Sequence, residues 1–194
     1  MTPGVTVIIA TFPARAALLS RAIHSIQAGT RPADSIIIAS DNLGEGEAIT
    51  RTRALMQVQT EWTAVLDDDD EFGRHHLIKL LTHAVVTGAD LVWSWFEVIG
   101  GTDPHPANLG REFDIENPHH ITSTTLYRTD LAQQVGGYLY PDDGPQDRVH
   151  DGFGPDWTFA IKMANAGARM RHLPEHTWAW HHDSGNTSGL VQNR

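Results

Sequence analysis

The 194-residue chain contains no cysteine, which excludes disulfides, thiolate zinc sites and a cysteine nucleophile. Basic residues are scarce as well: 14 Lys and Arg against 24 Asp and Glu leave a formal net charge of -10. A duplex nucleic-acid partner needs a basic face to neutralise its phosphates, so none is expected. A phosphate ligand survives the same argument, because a cation held by carboxylates brings positive charge locally. Long apolar runs are also missing. The stretch from Val5 to Phe12 is far shorter than the roughly 20 residues of a spanning helix. It has no basic segment in front, and Pro13 and Arg15 break it at once. A secretory signal is therefore not expected, and the reading is of a soluble, cytoplasmic protein. With 40% hydrophobic and 20% charged residues, and no repeat or low-complexity tract, the composition is that of one globular domain.

What is present is an alternation. Val5–Ala10 is a β-branched run that predicts a buried strand. Leu18, Leu19, Ala22, Ile23 and Ile26 then recur at helical spacing, closed by Gly29. The pattern repeats: strand at Ser35–Ala39, helix from Glu47 to Gln59, strand at Trp62–Leu66, helix from His75 to Thr87, strand at Leu91–Ile99. Such an order predicts an α/β fold with a Rossmann-like, mostly parallel sheet flanked by helices. Ligands bind such sheets beyond the carboxyl ends of the strands. Three polar clusters fall there: Thr11 to Arg15, Ser40-Asp41-Asn42 and Asp67 to Asp70. The second half is less regular. A loop is expected from Gly100 to Pro118, a strand at Ile121–Tyr127, a short helix before Gly136-Gly137, and a helix from Asp156 to Ala166. The tail from Thr177 to Gly189 combines tryptophans, two histidines and small polar residues.

Asp67-Asp68-Asp69-Asp70 is the central feature. Four adjacent carboxylates repel one another, and a hard cation such as Mg²⁺ or Mn²⁺, which takes oxygen ligands, is the reason to keep them together. The plainer alternative is a solvated acidic turn.

Thr6-Val7-Ile8-Ile9-Ala10-Thr11, then Leu66-Asp67-Asp68-Asp69-Asp70, then Gly154-Pro155-Asp156-Trp157 resemble the family-2 glycosyltransferases of the GT-A fold. Gly46 to Asp70, with Arg51 on its helix, is similar to that family's helix leading into the DxD motif, and Trp178 to His182 is similar to the tail of bacterial members. The resemblance covers nearly the whole chain and implies a single GT-A domain, with a nucleotide-sugar half over about residues 1–100 and an acceptor half over about 101–194. It implies transfer of a sugar from a nucleotide-diphosphate donor to an acceptor hydroxyl, with inversion, a UDP-sugar being favoured and a GDP-sugar the alternative. By the same resemblance Asp67 lies near the ribose and Asp69 holds Mn²⁺ or Mg²⁺, with Asp68 or Asp70 assisting. Asp41 reads the nucleobase edge, Thr11 and Arg15 line the nucleotide, and Arg51 approaches the diphosphate or pairs with an acid. Asp156 is the general base, with Pro155 standing where the family carries a glutamate; His181 or His182 completes the metal shell.

Several of these residues also have a structural alternative: Asp41 as a turn-starting residue, Arg51 as an exposed helix arginine, Asp156 as the cap of its helix, and His181 and His182 as a structural pair with one ring packed and one exposed. His75-His76 and His119-His120 are expected at the surface or at a helix start, and Trp93, Trp95, Trp178 and Trp180 in packing. The alternative functions are a nucleotidyltransferase, disfavoured because Thr11 to Arg15 has no glycine, a metallohydrolase, and a non-catalytic nucleotide-sugar-binding module. Completion of an acceptor loop by a second subunit is left open.

Overall fold

The computed structural model describes residues 3–117, 119, 121–140 and 154–182. Strands and helices alternate as β1 (Val5–Thr11), a 3-10 turn (Pro13–Arg15), α1 (Ala16–Gln27), β2 (Ser35–Ser40), α2 (Glu47–Leu55) and β3 (Trp62–Val65). The two-residue β4 (Glu71–Phe72), α3 (His76–Thr87) and β5 (Leu91–Ile99) follow. Beyond a second 3-10 turn (Pro106–Asn108) lie β6 (Thr125–Arg128), α4 (Thr129–Gln134), α5 (Pro155–Asn165) and β7 (Met170–His181).

All strands join one seven-stranded sheet in the order β2-β1-β3-β6-β5-β7-β4. β1 is parallel to β2 and β3, and β5 is parallel to β7. β6 runs antiparallel to both its neighbours, so β3 and β5 still point the same way. Only β6 and the edge strand β4 oppose the common direction, and the expected mostly parallel sheet is what forms. Helices cover both faces, which is why β1 reads as a continuous apolar run rather than an alternation. Val5, Val7 and Ile9 pack with Ala22 and Ile26 of α1 and with Leu77, Leu80 and Leu81 of α3. Ile8 turns to the other face, where Ala48, Ala54 and Leu55 of α2 meet Phe159, Ala160 and Met163 of α5. Gly88 ends α3 in the left-handed region at φ 63°, where a side chain would be strained.

The structure corrects or extends the sequence reading in three places. Residues 121–124 are not strand, because the Thr122 hydroxyl donates to the carbonyls of Ser94 and Thr124, and β6 begins only at Thr125. Residues 177–181 of the tail are the end of β7, a 12-residue strand, and residues 183–189 lie outside the described residues. Leu173 pairs with Ser94 and His176 with Trp95, so Pro174 and Glu175 bulge out of the ladder; proline has no N–H to give it. His75 and His76 do start α3, yet His76 is buried, its Nδ1 2.7 Å from Thr177 Oγ1 and its ring stacked 4.0 Å from Phe72. His119 is likewise buried, and His120 lies outside the described residues.

Candidate active site

The carboxyl ends of β1, β2 and β3 open on a cavity of about 450 Å³, a volume suited to a small organic ligand. Thr11 and Arg15 follow β1 into its wall, Asp41 follows β2, and Asp67 to Asp70 follow β3. Arg51 reaches the same wall from α2, and Asp156 from α5. Residues more than a hundred positions apart thus share one wall. His181 and His182 are not part of this wall.

Arg51 ties the cavity together. Its side chain is 1% exposed, so it is no surface arginine. Nη2 donates to Asp67 Oδ1 at 2.6 Å and Nη1 to Asp156 Oδ1 at 2.5 Å. The same guanidinium pairs with Glu47 one helical turn earlier and lies 5.0 Å from the Tyr138 ring centroid. A guanidinium carries donors in a fixed fork, which lets one buried cation hold several carboxylates at once. Asp156, 30% exposed at its side chain, has its pKa raised: burial dominates, Arg51 pulls against it, and Asp67 adds repulsion. Asp156 does not cap its helix. Gly154 is the N-cap and Pro155 the first helical residue, where proline's fixed φ is favourable. Its carboxylate goes to Arg51 instead.

The acidic run divides its side chains among different partners. Asp67 accepts from Arg51 on Oδ1 and from the Ser123 hydroxyl on Oδ2 at 2.8 Å. Asp68 accepts from Thr11 Oγ1 at 2.6 Å and Arg15 Nη1 at 2.8 Å. Arg15 also reaches Asp69 Oδ2 at 3.1 Å. Asp70 turns the other way and accepts from the backbone N–H of His181 at 3.0 Å. Burial, then the charges of Asp67 and Asp69, push Asp70 up to about 9. Asp69 is raised too, by burial first and by its acidic neighbours, with Arg15 opposing. The run therefore holds more negative charge than Arg15 and Arg51 balance, which is the electrostatic setting a hard divalent cation relieves. Among the described residues no three His, Asp or Glu side chains converge on one point. A cation here would take one or two carboxylate oxygens from the chain and the rest from phosphate and water, which suits Mg²⁺ and Mn²⁺. The His181 ring is engaged elsewhere, with Nε2 2.7 Å from Glu71 Oε1, while the His182 ring packs 5.3 Å from Trp180.

Asp41 plays the turn role and lines the cavity as well. Its carboxylate accepts from the N–H groups of Leu43 at 3.2 Å and of Glu45 and Gly46 at 2.9 Å, and the bonds from Glu45 and Gly46 lower its pKa most. Oδ1 takes two of these bonds and Oδ2 one, which leaves a lone pair on Oδ2.

Several wall residues escaped the sequence reading. Glu47 was seen only as a helix start. Arg51 draws its pKa down, but burial and the charges of Asp156, Asp67 and Asp69 outweigh it and push Glu47 up to about 7; at 51% side-chain exposure, solvent tempers that shift. Ser123 had no motif to mark it. Pro104 and His105 reach the cavity because Asp103 is anchored by the indole N–H of Trp95 at 2.7 Å. Phe96, Trp178 and Trp180 form an aromatic stretch of the wall at the β5–β7 side. The alternation of the two tryptophans was legible; their pairing with Phe96 was not.

Residues 42–136, the segment that carries the acidic run, match the family described as glycosyl transferase family 2. No curated protein sequence matches the chain. Among solved structures, S. aureus TarS in complex with UDP superposes with a TM-score of 0.74 at 15% identity, over 92% of this chain and 60% of that one. Its complex with UDP-GlcNAc gives the same TM-score at 14% identity, over 96% and 62%. The mannosyltransferase PcManGT from Pyrobaculum calidifontis, in complex with GDP-Man and Mn²⁺, gives 0.66 at 18% identity, over 93% and 57%. The chain spans about 60% of the length of these neighbours. The chain shares the fold of these glycosyltransferases. Among the described residues no helix is long and apolar enough to cross a membrane.

Proposed function

We propose that this chain transfers a sugar from a nucleotide-diphosphate sugar to an acceptor hydroxyl, with inversion and with a divalent cation, Mg²⁺ or Mn²⁺. The observation that carries the reading is the cavity itself, where the ends of β1, β2 and β3 meet Asp156. Asp41 Oδ2 would accept an N–H of the base, which suits uracil or guanine, and Asp67 would face the ribose. Asp69 would exchange Arg15 for the cation, and Arg15 would then be free to turn to the diphosphate. The cation supplies positive charge that offsets the charge gathering on the leaving diphosphate. His181 and His182 have no part in this scheme, since neither lines the cavity.

The acceptor oxygen attacks the anomeric carbon on the face opposite the diphosphate; the new C–O bond forms as the old one breaks, and Asp156 takes the hydroxyl proton. A raised pKa suits that task, because a base works best with a pKa near the working pH. Arg51 holds Asp156 and Asp67 on one fork and so keeps the base in a fixed relation to the donor. A nucleoside diphosphate should raise the melting temperature with Mn²⁺ or Mg²⁺ and do little with EDTA, and Asp69→Ala should abolish the effect. Equal stabilisation in both conditions would remove the metal from the scheme.

A further inference from the structure

The described wall of the cavity carries seven carboxylates and, against them, the guanidiniums of Arg15 and Arg51; it carries no lysine. Neither arginine is left over for an anionic acceptor, since in the proposed scheme Arg15 leaves Asp69 only to meet the donor diphosphate. Arg51 is 1% exposed and shared among three acids, and Arg15 already bonds Asp68 and Asp69. Asp70 held protonated and Glu47 partly so would not reverse the sign. A donor diphosphate arriving with a divalent cation is close to neutral as a unit, and it leaves the surplus in place.

The two ends of the wall differ in chemistry. Thr11, Asp41 and Asp67 stand at the ends of β1, β2 and β3, on one side of β6. On the other side, β5 and β7 present Phe96, Trp178 and Trp180. Phe96 meets both tryptophans edge-on, with centroids 5.2 and 5.4 Å apart, and all three belong to one apolar cluster. Trp180 is only partly buried. A flat, partly exposed indole in a cavity wall that also carries carboxylates can accept the C–H face of a sugar ring while the hydroxyls stay hydrated or bond to those carboxylates.

We infer that the acceptor is an uncharged or cationic saccharide that stacks on Trp180, and that the acidic wall rejects sugars bearing carboxylate, phosphate or sulfate. This rests on the proposed transferase reading for the word acceptor, but sugar binding itself can be measured without a donor. Like charges brought together in a partly desolvated site act as a filter against the wrong ligand.

The test is direct binding of matched sugar pairs to the full chain by saturation-transfer NMR. The pairs are methyl β-glucoside with methyl β-glucuronide, mannose with mannose 6-phosphate, and N-acetylglucosamine with its 6-sulfate. The uncharged member of each pair should bind, with the anionic member about tenfold weaker or more, and the gap should narrow as salt screens the wall. Trp180→Ala should weaken the uncharged sugars about tenfold while Trp180→Phe recovers most of the loss. Anionic members that bind as well as their partners, or no binding by any sugar, would overturn the inference, as would a folded Trp180→Ala with unchanged affinity. If Trp180→Ala fails to fold, the comparison within pairs on the parent protein decides alone. Nucleotide-sugar binding by calorimetry on the same preparation tests the transferase reading separately, since its failure leaves the pair comparison readable.

Discussion

Replacing Arg51 by methionine removes a buried cation and keeps most of its volume. In the folded protein its fork serves Asp67, Asp156 and Glu47 from a position that is 1% exposed. Without it, three carboxylates face one another beside Asp68 and Asp69 with no guanidinium among them. Deleting one partner of a buried ion pair costs about 3–5 kcal/mol, because the remaining charge is left uncompensated. For a domain of this size each kcal/mol moves the melting temperature by about 2–4 °C, so a drop of roughly 6–20 °C is expected at pH 8. The loss should shrink at pH 5. The orphaned carboxyls would have folded-state pKa values above their unfolded ones, so the stability they contribute is present in acid and lost as pH rises through the folded values. The parent shows a weaker form of this through Glu47, whose pKa stands at about 7 against an ordinary 4.5: its contribution is complete below 4.5 and lost as pH climbs through 7. Arg51→Lys should recover part of the loss, since one ammonium cannot reproduce the fork. The assay is thermal and urea unfolding of parent and both variants at pH 5 and pH 8. Arg51→Met melting within about 2 °C of the parent at pH 8, a shift below 1 kcal/mol, would refute the network.

Asp156→Asn should leave donor affinity and helix α5 intact, because Gly154 and Pro155 begin that helix, while transfer falls by roughly 10²–10⁴-fold, the usual worth of a general base; product formation beside calorimetric donor binding reads both. Asp41→Ala should weaken a uridine or guanosine nucleotide by about 1–3 kcal/mol. Because it also frees three N–H groups of the 43–46 loop, Asp41→Asn, which retains one acceptor oxygen, is the companion variant, and base selectivity in competition binding is the readout. His76 is held neutral by burial, with its pKa lowered from 6.5 to about 3, so stability should be lost as pH falls from 6.5 towards 3. His76→Leu should flatten that limb of an acid-unfolding curve by a few kcal/mol, on the order of 1.4 per pH unit.

The first hundred residues were legible because each element signals itself locally. Val5 to Thr11 is apolar on both faces, helix α3 repeats every turn and ends on Gly88, and the acid clusters sit just past strand ends. The later half defeats such reading for physical reasons. In β7 the ladder is broken at Pro174, and periodicity cannot cross a bulge. Ser123 and Glu47 matter through partners far along the chain, Asp67 and Asp156, and one residue's identity says nothing of distant company. Arg51 was flagged through its place before the acidic run, yet only burial distinguishes a shared cation from a solvated one. Asp142, Asp143 and Asp151 lie outside the described residues, as do the small polar residues after His182.

The strand order carries a consequence for synthesis on the ribosome. Among the described strands β7 comes latest in the sequence, yet it sits between β5 and β4, and β4 has no other described partner in the sheet. Until residues 170–181 emerge, β5 offers the bare edge of Leu91-Val92-Trp93-Ser94-Trp95, a sticky template for other chains. Over the same interval Asp70 lacks the His181 N–H, and Trp178 and Trp180 are missing from the cavity wall. A product cut short by a stalled ribosome or an early stop codon therefore exposes an apolar edge that chaperones and proteases can recognise. Addition of β7 hides that edge in the same step that brings Trp178 and Trp180 to the cavity, so loss of the chaperone-binding surface and gain of ligand binding should coincide in time.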